Sequence, residues 1–242
     1  MHGIRYDAVH DEMVVPNQFA EAVLIFRGGA NGEEAPIRVI QGPLTQMVAP
    51  DRIEVDPVNH EILVPDGHQI LVFPREANGN VAPLRVLRGP DTLLGGDEVN
   101  VDPVRNLMVV GGNIRRNGRS EPAILTFNRT DQGNTKPRAI IAGPKTRLVG
   151  GGRMAVYSPR GWVFVTVRGP GGDDEARASD QSFVGVYSTE ENGDVPPKWT
   201  IGGPKGMLRQ PRGVALDPKN KSLIVSDKYL NAVMTYYFPE VF

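Results

Sequence analysis

The sequence predicts an all-β fold, a β-propeller built of four-stranded antiparallel blades, and three observations predict it. A frame of Gly, Pro and Gly-Pro occurs four times: ANGEEAPIRVIQGP (30–43), ANGNVAPLRVLRGP (77–90), TDQGNTKPRAIIAGP (130–144) and EENGDVPPKWTIGGP (190–204). A strand, tight turn and strand pattern occurs five times. No stretch of ten or more residues combines i, i+3, i+4 apolar periodicity with freedom from Pro and Gly, so helices should be nearly absent.

In the first frame, Gly32, Gly79, Gly133 and Gly193 are followed at +4 by Pro36, Pro83, Pro137 and Pro197, and at +10 and +11 by Gly-Pro. Successive prolines lie 47, 54 and 60 residues apart, a period that suits a small antiparallel sheet as the repeating unit. The second pattern reads IRYDAVHDEMVV (4–15), IEVDPVNHEILV (53–64), VNVDPVRNLMVV (99–110), AVYSPRGWVFV (155–165) and VALDPKNKSLIV (214–225). Asp followed by Pro favours a type I turn, so each copy is strand a, turn, strand b. Strand c follows at AVLIF (22–26), QILVF (69–73), AILTF (123–127), FVGVY (183–187) and AVMTYYF (232–238). The Gly-Pro frame supplies strand d, opened by its proline on the outer edge, where a residue without an N–H is tolerated. Four-stranded sheets repeated radially make a propeller. The repeats fall at about 4–50, 51–97, 98–152, 153–212 and 213–242, within one domain and with the fifth lacking strand d.

These strings resemble the NHL-repeat and related six-bladed propellers of bacteria, with a more distant similarity to gluconolactonase-type propellers. The resemblance covers essentially the whole chain and implies the fold. It implies less about activity, because such propellers serve as ligand-binding platforms, as interaction modules and, in some relatives, as metal-dependent lactonases or lyases. It also favours an extracytoplasmic compartment. Five a-b-c sets with four d strands suit either a five-bladed ring with a three-stranded last blade or part of a six-bladed protein. Both ends fall at strand boundaries, which favours the second.

Composition narrows the chemistry. The 242 residues contain no cysteine, which excludes thiol catalysis, disulfides and Cys-ligated metals. A net charge of −1 lacks the basic excess that nucleic acid or an anionic membrane surface would favour. No apolar run approaches the roughly 18 residues of a membrane span, and no signal-peptide pattern opens the sequence.

Function is expected where the repeats differ. Additions lie at GGNIRRNGRSEP (111–122) and VRGPGGDDEARASDQS (167–182), both read as b–c loops, and the b–c and d–a loops share one face. One residue per repeat just before strand a should ring the channel mouth: His2, Asp51, Asp97, Arg153 and Arg212. Such mixed charges bind a polar ligand or pair with one another, and pairing avoids the desolvation cost. A second ring at the ends of strand b comprises Asn17, Asp66, Asn113, Arg168 and Asp227. Asp66 and Asp227 suit b–c turns held by side chain to backbone hydrogen bonds. Of the histidines, His2 and His68 lie on this face, whereas His10 and His60 lie in a–b turns opposite it.

Other features reduce to structure. Asp7, Asp56, Asp102 and Asp217 are turn residues, and Trp162 and Trp199 lie in strands as blade packing. Asp173-Asp174-Glu175 lacks the spacing of a calcium loop, and Arg115, Arg116 and Arg119 read as a solvated loop. The sequence therefore points to a non-catalytic scaffold that binds a protein partner or an extracellular ligand without a cofactor. One alternative is a metal-dependent hydrolase or lyase, with calcium or another divalent ion held near Asp66, Asp97 and His68. Another is a subunit docked through its open fifth blade, whose edge accepts a donated strand.

Overall fold

The computed structural model describes residues 3–95, 98–116, 118–149, 152–169 and 179–242. Among them, 19 strands form five antiparallel sheets, and the helical content is confined to short 3-10 turns. Blade 1 comprises β1 (Arg5–Asp7), β2 (Glu12–Asn17), β3 (Ala22–Arg27) and β4 (Arg38–Gln41). Blade 2 comprises β5 (Glu54–Asp56), β6 (Glu61–Asp66), β7 (Gln69–Pro74) and β8 (Arg85–Arg88). Blade 3 comprises β9 (Glu98–Asp102), β10 (Leu107–Arg116), β11 (Arg119–Asn128) and β12 (Ala139–Ala142). Blade 4 comprises β13 (Met154–Tyr157), β14 (Trp162–Val167), β15 (Phe183–Ser188) and β16 (Trp199–Gly202). Blade 5 has three strands, β17 (Pro211–Asp217), β18 (Ser222–Asp227) and β19 (Ala232–Tyr237). The fold is a five-blade β-propeller.

The a–b turns form as their Asp residues require. Asp7 Oδ1 accepts from the N–H groups of Val9 and His10 at 2.9 and 3.2 Å. Asp56 Oδ1 accepts from Val58 and Asn59 at 3.0 Å each, and Asp102 and Asp217 accept in the same way. Two expectations need correction. Residues 111–122 are not a loop: β10 and β11 extend as a paired hairpin to Arg116 and Arg119, because the added residues continue the antiparallel ladder. Strand d does not start at its proline but two residues later, since proline cannot donate. The residue after it makes the first bond, as in Leu84 N–H to Val72 O at 2.7 Å.

The Gly-Pro frame turns out to join blades. At the first junction, Ile40 of β4 is fully buried in a socket of blade 2 formed by Ile62, Val64, Leu71, Phe73 and Ala77. Leu87 and Ile141 seat in the same way in blades 3 and 4, and Ile201 packs, partly buried, against blade 5. Beside the first three knobs, the Asn-Gly loop of the next blade grips the strand backbone. Gly79 N–H donates to Val39 O at 2.6 Å and Gly79 O accepts from Gln41 N–H at 3.1 Å; Gly133 and Gly193 repeat the pair on β8 and β12. The residue after the gripping glycine then caps the Gly-Pro turn: Asn80, Asn134 and Asp194 accept from Leu44, Asp91 and Lys145 N–H at 2.7–2.8 Å.

The outer rim adds charge at two junctions. Glu12 receives both guanidinium nitrogens of Arg38, at 2.8 and 2.9 Å, and Arg75 from blade 2 at 2.9 Å. Glu61 is held likewise by Arg85 at 2.6 and 2.7 Å and by Arg129 from blade 3 at 2.6 Å. At the fourth junction, the corresponding positions carry Trp162, Trp199 and Phe238, with ring centroids 5.2 and 6.5 Å apart in edge-to-face contact.

Two outcomes test this account. A Cβ at Gly89 would lie 2.4 Å from Asn134 Oδ1, at a φ of 134° that side chains rarely adopt. Gly89→Ala should therefore lower stability by about 2 kcal/mol. Urea unfolding should show Asn134→Ala relieving only part of that loss, a non-additive cycle. Burial works to push Glu12 and Glu61 upward, but their arginine hydrogen bonds win and hold both carboxyls below the usual 4.5. Their contribution is complete above the unfolded value and disappears as pH falls through the lowered folded values. Urea midpoints measured from neutral to acidic pH should show this decline. The pair Glu12→Gln and Glu61→Gln should flatten it, starting about 3 kcal/mol lower because each leaves buried guanidinium charge uncompensated.

Candidate binding face and central channel

The d–a and b–c connections lie on one face, and the blades reach different heights there. In blade 2, β6 and β7 are joined by the two-residue turn Gly67-His68, whereas the β10–β11 hairpin of blade 3 runs on past it. The difference leaves a step. Over the short turn lies an open cleft of about 740 Å³, lined by Val48, Ala49, His68, Gln69 and Arg88 among others. His68 also borders a second hollow of about 380 Å³, with Leu93 and Leu94 as its apolar floor and Asn113 and Arg115 of the hairpin as its wall. The imidazole is fixed between the two, since its Nδ1–H donates to the carbonyl of Leu94 at 2.7 Å. That bond makes Nε2 the acceptor nitrogen of the neutral ring.

Asp66 and Asp227 are structural here. Asp66 accepts from the N–H groups of Val48 and Ala49 at 2.6 and 3.0 Å. Asp227 accepts from Arg209 and Gln210 at 2.7 and 2.8 Å and from Leu230 at 3.1 Å. From sequence, both are expected to hold the b–c turns. In fact they chiefly tie the incoming d–a segment to the end of strand b, and only the Leu230 bond holds a b–c turn. Asn17 caps a 3-10 turn by accepting from Ala20 N–H, Arg168 is buried, and Asn113 is exposed.

The axis is lined by all five blades. A cavity of about 300 Å³ is bordered by Arg5, Arg52, Glu98, Arg153 and Arg212, one from each blade in turn. Arg153 and Arg212 were expected there, and Asp51 lies beside Arg52; His2 and Asp97 lie outside the described residues. Arg5, Arg52, Glu54 and Glu98 were not anticipated. The d–a connections differ in length, so counting along them falls one residue short at Arg52 and Glu98 but not at Arg153 and Arg212. The signal was present in the alternation of strand a, which turns Arg5 and Glu54 inward.

These charges pair with one another. Arg5 Nε lies 2.9 Å from Glu54 Oε2, and Glu98 is approached by Arg52 at 3.3 Å, Arg153 at 3.5 Å and Arg5 at 3.6 Å. Burial pushes the carboxyls of Glu54 and Glu98 above the usual range against the pull of these guanidiniums. Glu54 in turn holds Arg5 above its usual value, and the guanidinium stays charged throughout.

The remaining candidates fall elsewhere. His10 and His60 meet edge to face at 5.3 Å in the a–b turns of the opposite face. Residues 173–175 and the side chains of Arg116 and Arg119 lie outside the described residues, while Arg115 is exposed. Among the described residues no three His, Asp or Glu side chains stand close enough to hold a metal ion.

Neither a protein-family model nor a curated protein matches this chain. Among solved structures it is similar to a protein of Bacteroides uniformis ATCC 8492 provisionally named a 6-phosphogluconolactonase, with a TM-score of 0.59 and 14% identity. The alignment covers 98% of this chain and 66% of that one, so the chain spans a little under two thirds of its length. At this identity the likeness concerns architecture, and it places the chain among the β-propellers.

Proposed function

We propose that the protein is a non-catalytic binding scaffold whose site is the cleft over the short β6–β7 turn of blade 2, continued past His68 toward the blade 3 hairpin, and that it takes a short segment of a protein partner. The stepped cleft carries this reading. Its volume lies in the range of ligand sites, and its apolar surface is set with a few oriented polar groups, as such sites require. Val48 is 67% exposed at the cleft edge, Arg88 lines the same cleft, and Arg115 lines the adjoining hollow. A segment with apolar residues and a neighbouring carboxylate fits that chemistry. The NHL-like strand frame, and the bacterial, extracytoplasmic setting that goes with it, belong to the same proposal. A metal-dependent lactonase reading gains nothing from the axis, because four arginines at its cavity oppose a cation.

Selection from a displayed library of random 12-residue peptides tests the site. Enriched peptides should combine apolar and acidic residues, and Val48→Asp or Arg115→Glu should weaken them at least tenfold, about 1.4 kcal/mol. Both side chains are exposed, so thermal unfolding should stay within about 0.5 kcal/mol of the parent. Peptides indifferent to both changes would move the site elsewhere. Stoichiometric divalent metal surviving dialysis would favour the hydrolase.

A further inference from the structure

Three of the four junctions share a knob and a glycine clasp, and blade 1 carries the receiving half of that design without a partner strand among the described residues. Its positions Met13, Val15, Leu24, Phe26 and Ala30 correspond, by strand register and by the turn bond of Ala30 to Arg27, to the socket residues Ile62, Val64, Leu71, Phe73 and Ala77 of blade 2. In blade 2 that socket is closed over Ile40 and the side chains of Ile62, Val64, Leu71 and Phe73 are fully buried. In blade 1, Met13, Leu24 and Phe26 are only half-buried, and a hollow of about 220 Å³ lies between Met13, Val15, Phe26, Ala30, Asn31 and Gly32.

The clasp beside this hollow is already shaped. Gly32 has φ of 63°, the value of Gly133, which grips β8. The residues around it repeat the Ala-Asn-Gly of the Gly79 clasp. One difference is local: Glu34, paired with Arg27, stands where blade 2 has Val81. The opposite flank of the molecule is also open. Val233 and Tyr237 of β19 are 71% and 72% exposed, whereas Ile70, at the blade 2 position equivalent to Val233, is 1% exposed against blade 3.

We infer that the Met13–Phe26 socket and the Asn31-Gly32 clasp of blade 1 form a docking site for the outer strand of a propeller blade not among these 242 residues. The occupant is an extended segment of the form branched aliphatic, any residue, Gly-Pro. That form is common to every seated knob here: Ile40-Gln41-Gly42-Pro43, Leu87-Arg88-Gly89-Pro90, Ile141-Ala142-Gly143-Pro144 and Ile201-Gly202-Gly203-Pro204. Continuity with the internal junctions identifies it, because the aliphatic knob fills the socket while the Gly32 backbone pairs with the strand on either side of it. A second copy of this chain does not supply it, since Ile40, Leu87 and Ile141 are buried in their own sockets and Ile201 packs against blade 5. The site is on the outer rim near the a–b turns, away from the His68 cleft, so it stands or falls independently of the proposed peptide site.

The test uses the whole 242-residue protein, labelled with 15N, and the synthetic peptide APLRVLRGPDT, which copies residues 82–92. Titration should shift the amides of Met13, Phe26 and residues 30–34 saturably, with a dissociation constant on the order of 1 mM or tighter. Replacing the peptide's Leu87 equivalent by Asp should weaken binding at least tenfold. The protein variant Gly32→Val should do the same, because a β-branched residue does not hold that positive φ. The inference is overturned if no shifts appear at about 5 mM peptide, if the Asp peptide shifts the same amides equally well, or if the shifts fall on β19 instead. Self-association of the protein that buries Met13 and Phe26 would also overturn it, by making a second copy the occupant.

Discussion

Blades 2 to 5 are each positioned by a single branched aliphatic side chain of the preceding blade's outer strand, seated in a socket; at three of these four junctions a glycine backbone locks the knob. The two parts do different physical work. Apolar burial supplies attraction but is indifferent to direction, so a socket alone would let neighbouring sheets slide. The Gly79, Gly133 and Gly193 loops add a donor and an acceptor on either side of the knob, and hydrogen-bond geometry fixes the register that burial leaves loose. Glycine is needed because the loop must adopt positive φ, 63° to 89° at these three positions, which other residues rarely hold.

Around this fixed core the rim chemistry varies freely. Two junctions use a glutamate between two arginines, the third has Leu107, Ala139 and Thr189 at the same positions, and the fourth has two tryptophans and a phenylalanine. Such exchange is what desolvation predicts. A buried ion cluster gains little net stability over a well-packed apolar group of similar size, although it is costly to break once present. The knob and the clasp are therefore what the fold depends on, and the rim triads are alternative ways of sealing the outer edge.

The repeat made the fold legible. Type I turns, apolar b strands and the position of proline are local consequences of residue type, and counting them sufficed to find five blades and the missing fourth strand of the last. The role of ANGNVAPLRVLRGP was not legible. Asn80 looks like a hairpin residue, and only the packed ring shows its carboxamide capping the turn after Gly42, 38 residues earlier in the chain. The hairpin at 111–122 is hidden for a related reason: Gly111, Gly112 and Gly118 suggest a loop, yet pairing across the hairpin supplies what propensity does not. In the site, Asp66 and His68 were found because they stand at the end of a counted strand. Glu98 was not, because inward orientation follows from the alternation of a strand whose start the irregular d–a connection obscures.

The same geometry explains why the cleft lies off the axis. Five inner strands converge on a narrow cavity, and the side chains they deliver are mostly charged, so they must satisfy one another or remain hydrated. Arg5 with Glu54, and Arg52 and Arg153 with Glu98, meet that demand within the protein itself. A ligand entering there would have to displace pairs that are already made and buried. The step at His68 carries no such obligation. Its polar anchors, the Asp66 carboxylate and the Nδ1 of the histidine, are engaged with backbone, which makes its walls rigid while leaving the exposed Val48 to be covered. Rigid walls around an uncovered apolar surface are the condition under which binding costs least in ordering, and the unequal heights of two neighbouring hairpins create that condition.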